Sequence, residues 1–212
     1  VLHLWSSDPY DFSGVPEFDL RATIRRLTVS RQARRTLLAF AVFGFAFQGA
    51  INFLPTFMQV MRGFSPTLAN VVFAAVFLLS MVTNPFVGSI GDRFGYPLVA
   101  AGAVLVALGG LAGLTSLEST AATAASVLVL GVGLSSFWPL MDAFIMDQLP
   151  DGSMGGDFGA LNTFNLAGGG LGPIYVGFVA ERTGYRDAYL GLAVPIVAVA
   201  ALLLVMWYAG RR

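Results

Sequence analysis

Asp142 lies inside the run GLSSFWPLMDAFIMDQLP. It stands eight residues before Pro150, which in a helix places it about 12 Å from the loop at ~1.5 Å per residue. A carboxylate at that depth in hydrocarbon is costly and invites a functional reading. Out of water it favours its protonated form, so it can hold a proton in one conformation and lose it in another. Three uses fit: proton coupling or substrate contact, pairing with an arginine or hydroxyl for stability alone, or a shallower hydrated position. Trp138 precedes it by one helical turn and shares its face. Pro139 lacks a backbone donor and can kink the helix there. Asp147, three residues from Pro150, reaches the headgroups.

Other polar groups are sparse. Gln48 and Asn52 stand four apart, followed by Pro55. Two amides on one helix face can bond a hydroxylated or carboxylate substrate, or a neighbouring helix at ~0.6 kcal/mol each. Asn162 and Asn165, three apart, carry the same pair of readings. Asn84 before Pro85 is expected to fill the donor gap that the proline makes. Ser135 and Ser136 follow Gly131-Val132-Gly133-Leu134, a faint echo of a nucleophile turn. The one histidine, His3, lies outside the apolar part, so the usual base for such a serine is missing. The glycines at 168, 169, 170 and 172, with Pro173, suit bending and close packing. No Lys and Ser/Thr follow them, so they form no phosphate cradle.

The stretch GSIGDRFGYP, 88–97, places an acid and a base side by side between glycines. No charge occurs from Arg62 to Asp92, or from Arg93 to Glu118. Gly88 and Gly91 allow close backbone approach, and Gly95 suits a turn with positive φ. Asp92 at a helix C-terminus is unfavourable by the dipole unless another helix N-terminus faces it. A charged turn that merely fixes topology would look the same.

These residues sit in a chain of 212, 56% hydrophobic and 11% charged, with mean hydropathy +0.75. Soluble domains carry about a quarter charged residues, so the expected class is an all-α membrane protein. Zero net charge implies no bulk attraction to nucleic acid. The absence of cysteine excludes disulfides and thiol catalysis. With one histidine, a metal hydrolase lacks ligands, and no metal or cofactor is expected.

Residues 1–19 read as a polar linker. In 20–35, Leu20, Ile24 and Leu27 fall on one face and arginines on the others, a basic amphipathic segment suited to a membrane surface or a plain juxtamembrane stop. Six apolar segments follow near 36–61, 66–90, 96–116, 121–149, 156–180 and 187–209. Each has the ~20 residues that cross a ~30 Å core, where helices satisfy the backbone internally. Arg21, Arg25, Arg26, Arg31, Arg34 and Arg35 precede the first segment, and Arg93, Arg211 and Arg212 fall on the same side. Arg62, Arg182 and Arg186 fall on the other. The first side is therefore expected to be cytoplasmic, in a plasma membrane. A chain that opens on Val1 without a signal pattern reads as a piece of a longer protein.

Gly88-x-x-x-Asp92-Arg93-x-Gly95 after the second of six segments resembles the signature loop of major facilitator superfamily transporters, with Tyr96 and Pro97 where a basic pair is usual. The stretch from Leu149-Pro150-Asp151-Gly152 through Gly159-Ala160-Leu161-Asn162 to Gly184-Tyr185 is similar to that family's eleventh helix and the loop after it, without the basic residue often found near Ser153. The resemblance spans 20–209 and implies the C-terminal six-helix half, helices seven to twelve. It implies a secondary active transporter of small solutes by alternating access, with an N-terminal six-helix half as partner and protons as a candidate coupling ion. It also implies that Asp92 meets a helix N-terminus of the other half as a conformational latch, and that Asp142, Trp138, Gln48 and Asn52 lie on cavity-lining helices. The competing readings are a non-transporting scaffold or sensor and, more remotely, an intramembrane enzyme.

Overall fold

A computed structural model describes residues 30–147 and 154–211. The linker 1–19, most of the basic segment 20–35 and the Pro150 loop lie outside the described residues. The elements are α1 (Arg31–Arg62), α2 (Pro66–Phe94), α3 (Tyr96–Ser116), α4 (Thr120–Ser135), α5 (Phe137–Met146), α6 (Met154–Thr183), α7 (Tyr185–Gly191) and α8 (Ala193–Gly210). The protein is an all-helical membrane-type bundle. Five stretches are long and apolar enough to cross a bilayer: α1, α2, α3, α4 with α5, and α7 with α8. The sixth, α6, is a 30-residue helix whose amides and glycines dilute its apolarity. α1 begins at Arg31, so residues 31–35 belong to the same helix as the first apolar segment.

The boundaries follow local chemistry. Ser30, Ser65 and Ser119 cap α1, α2 and α4 by accepting from Ala33, Leu68 and Ala122 N–H groups. Gly63 ends α1 at φ 66°, a left-handed cap that glycine adopts without strain. Two apolar segments expected to be single helices are each broken once. The breaks fall at Ser136 and Leu192, three residues before Pro139 and Pro195, with nearly the same dihedrals (φ −67°, ψ −16° and φ −66°, ψ −16°). A proline cannot donate to the carbonyl four residues back and its ring crowds it. At the first break Ser135 and Ser136 hydroxyls donate to the Gly131 and Val132 carbonyls, at 2.7 and 2.8 Å, a bond that bends helices. Those two hydroxyls are thereby structural.

α1 packs most extensively on α6, and α3 on α4 and α8. Small residues make the first contact. A Cβ on Gly168 would lie 2.5 Å from the Ala41 carbonyl oxygen, and one on Gly172 would lie 2.7 Å from the Gly49 nitrogen. Gly170 meets nothing within 4 Å, and α6 runs unbroken through Pro173. Of the phenylalanines of α1, Phe40, Phe43 and Phe57 are buried. Tyr189 is also buried and its hydroxyl donates to the Ala50 carbonyl at 2.6 Å, tying α7 to α1.

Sequence counts Arg62 and Arg186 only as charges. In the fold both grip one helix end: Arg62 donates to the Leu114 carbonyl (2.8 Å) and Arg186 to the Thr115 carbonyl (3.1 Å). Cations at a helix C-terminus meet its partial negative charge and its unpaired carbonyls. α3 is thereby tied to the ends of α1 and α7.

Candidate functional site

The sequence-selected groups fall on α1, α5 and α6, with the loop motif at the end of α2. α5 meets α1 through aromatic rings. Phe137 stacks on Phe43 with centroids 3.6 Å apart and planes at 10°. Trp138 stands edge-on to Phe40, Phe43 and Phe47 at 6.2, 5.3 and 5.5 Å. Edge-to-face contacts of this kind add about 0.5–1.5 kcal/mol each beyond burial. They fix the rotation of α5 about its axis, and so the direction of Asp142 one turn along.

Asp142 is half-buried and makes no hydrogen bond or ion pair with any described residue. Gln48 and Asn52 are brought together: the Asn52 amide donates to the Gln48 side-chain oxygen at 3.1 Å and to its carbonyl at 2.8 Å. Asn52 is exposed, and Gln48 lies against Gly169. The two asparagines of α6 part company. Asn165 is buried and its amide donates to the Phe40 carbonyl at 2.9 Å, which binds α6 to α1. Gly44 makes room for it, since a Cβ there would lie 2.6 Å from the Asn165 carbonyl oxygen. Asn162 is half-buried, with no hydrogen bond to the described residues. Asn84 does not fill the donor gap at Pro85: its amide N–H groups make no hydrogen bond with the described residues, and its side-chain oxygen is buried without a partner among them.

The loop motif closes α2. Gly95 adopts φ 95°, as its glycine predicts. Gly91 abuts α5, where an added Cβ would come 2.7 Å from Leu140. Gly88 meets nothing within 4 Å, so the close approach expected of it is not made with any described residue. Asp92 and Arg93 are exposed in the last turn. The Tyr96 hydroxyl donates to Asp92 at 2.7 Å. Tyr96 stands where the resemblance leads one to expect a basic residue, and it gives the carboxylate a neutral donor instead.

The family model described as Major Facilitator Superfamily matches residues 15–212. The chain belongs to that superfamily of membrane transporters, a transporter family and not an enzyme family. The multidrug resistance protein MdtG of Serratia proteamaculans is 29% identical over 150 residues, covering 69% of this chain and 36% of that protein. MdtG of Citrobacter koseri is 28% identical over 178 residues, covering 80% and 42%. The chain thus spans well under half the length of these relatives. Among solved structures, the fucose:proton symporter FucP of E. coli superposes with a TM-score of 0.74 at 18% identity, covering 89% of this chain and 46% of that one. The POT family transporter PepTSo gives 0.69 at 21%, covering 85% and 37%. These likenesses establish the fold.

Proposed function

We propose that this chain is the C-terminal six-helix half of a secondary active transporter, working by alternating access on a small solute and coupled to protons. The observation that carries the reading is Asp142: a half-buried carboxylate without a partner among the described residues, inside a membrane span, beside the aromatic wall of Trp138. Intramembrane carboxylates without an internal counter-charge are typical of proton and substrate paths. Gln48 and Asn52, with Asn162, would supply amides to a cavity completed by an N-terminal half. MdtG, a multidrug resistance protein, supports solute transport, and FucP, a fucose:proton symporter of the same fold, supports protons as the coupling ion. By its charge the arginine-rich end would face the cytoplasm, in a plasma membrane.

The test is solute flux into proteoliposomes of the purified full-length protein under an imposed pH gradient. Substrates would first be found from a panel of sugars, organic anions, amino acids, nucleosides and cationic drugs, by the rise in melting temperature that binding produces. Uptake that follows the gradient and stops on its collapse is the expected result. Uptake indifferent to pH would remove proton coupling, and no flux for any binding solute would remove transport.

Asp92 is read as the latch. It lies exposed at the end of α2 with Gly88 open beside it, and it would meet a helix N-terminus of the other half, where a carboxylate is worth ~0.3–1 kcal/mol. Asp92→Asn is expected to slow flux severalfold while leaving the melting temperature within about 1 °C of wild type. Unchanged flux would remove the latch.

A further inference from the structure

A second polar feature lies at the Arg31 end of α1, away from the groups above. Arg31, Arg34, Arg35 and Leu38 line a cavity of about 230 Å³ that is wide open to its surroundings. They occupy positions i, i+3, i+4 and i+7, a single stripe of the helix surface. The volume is below the ~300–1,000 Å³ of sites for drug-sized ligands. Three guanidiniums give it one strong preference, for an anion with several acceptor oxygens, and their planar forks match phosphate.

Four other arginines of the bundle are engaged, and Arg93 stands exposed at the end of α2. Arg62 and Arg186 hold α3 carbonyls, Arg182 holds the Phe178 carbonyl, and Arg211 lies 4.4 Å over the Trp207 ring. Arg31 and Arg35 have no such partner among the described residues.

Depth decides the kind of anion. α1 has 32 residues, about 48 Å at ~1.5 Å per residue. The hydrocarbon core is ~30 Å thick, which leaves roughly six residues of helix in each headgroup layer. Arg31 to Arg35 then lie among the headgroups, and Leu38 lies where acyl chains begin. Leu38 is 54% exposed, so the cavity is cationic on its watery side and apolar on the side toward the membrane interior. A phosphate alone would satisfy only the first half of that surface. A molecule carrying a phosphodiester above a hydrocarbon chain satisfies both.

We propose that Arg31, Arg34, Arg35 and Leu38 form a binding site for an anionic phospholipid. The guanidiniums hold the phosphodiester and Leu38 receives the first methylenes of an acyl chain. The net negative headgroup sets the preference over zwitterionic lipid, because Arg31 and Arg35, without a partner among the described residues, remain incompletely balanced by an internally neutralised headgroup. The site is independent of solute transport and stands or falls apart from it.

The experiment is a set of melting curves on the purified full-length protein in uncharged detergent at fixed ionic strength. Additions are phosphatidylglycerol, phosphatidylcholine or inorganic phosphate. Phosphatidylglycerol is expected to raise the melting temperature by about 3 °C or more, with the other two giving less than a third of that. Arg31→Gln/Arg35→Gln should lose the rise, and Arg31→Lys/Arg35→Lys should keep part of it. If the glutamine pair fails to fold, Arg35→Gln alone is read, together with lipid retained in native mass spectra. Equal rises with phosphatidylglycerol and phosphatidylcholine would overturn the proposal, as would a full rise in the glutamine variants. A full rise from inorganic phosphate would overturn the lipid assignment in favour of a free-anion site.

Discussion

Asp142→Asn is expected to leave solute exchange running and to abolish concentrative uptake. The amide keeps the size of the side chain but cannot take up a proton. One pH unit is worth ~1.4 kcal/mol per proton. A gradient of two units, coupled one proton to one solute, therefore sustains about 100-fold accumulation. In the variant that ratio should fall to about one, while counterflow of labelled solute persists. The side chain has no hydrogen bond to lose among the described residues, so melting should change little. Accumulation equal to wild type would take coupling away from Asp142. A large loss of stability with normal coupling would make the carboxylate a structural partner of the other half.

The second large effect is in packing, and it contrasts one chemical change at two sites two residues apart. Gly172→Ala places a methyl 2.7 Å from the Gly49 nitrogen, against backbone that cannot rotate away. α1 and α6 must separate, which also loosens the Asn165 bond to the Phe40 carbonyl. Overpacking of this kind costs roughly 2–3 kcal/mol. Gly170→Ala places the same methyl in open space. Removing a helical glycine there should be neutral or stabilise by about 0.5–1 kcal/mol. Melting temperatures of the two variants, measured in one detergent, should move in opposite directions. A Gly172→Ala protein as stable as wild type would mean that the helices are not held at this distance.

Much of this architecture is legible in the residues. The apolar runs and serine caps locate the helices, and the glycine between Phe94 and Tyr96 anticipates its positive φ. The run at 168–172 announces close packing, although only the fold separates Gly168 and Gly172, which touch α1, from Gly170, which does not. Hydropathy cannot tell an inward phenylalanine from one facing lipid, since both surroundings are apolar, so the burial of Phe40 and Phe43 is unreadable in advance. The break at Leu192 had a signal in Pro195, of the kind read at Pro139. The partners of Arg62, Arg186 and Asn165 lie 52, 71 and 125 residues away, and no local pattern reports them. Asn162 and Asn165 look alike in the chain; the α1 backbone beside one of them makes the difference.

The paired breaks at Ser136 and Leu192 have a mechanical consequence. A continuous helix tilts as one rod, and changing the slope of one half means stretching hydrogen bonds midway. In the two interrupted spans that cost is already absorbed by the static structure. α5 is a ten-residue segment, articulated at one end and gripped on its side by the aromatic rings of α1. A small swing about Ser136 would move Asp142 with little disturbance to α4, whose contacts with α3 are backbone-tight at Gly110 and Gly133. The acid is thus mounted on the arm of the span, and the glycine-packed part serves as its fixed bracket.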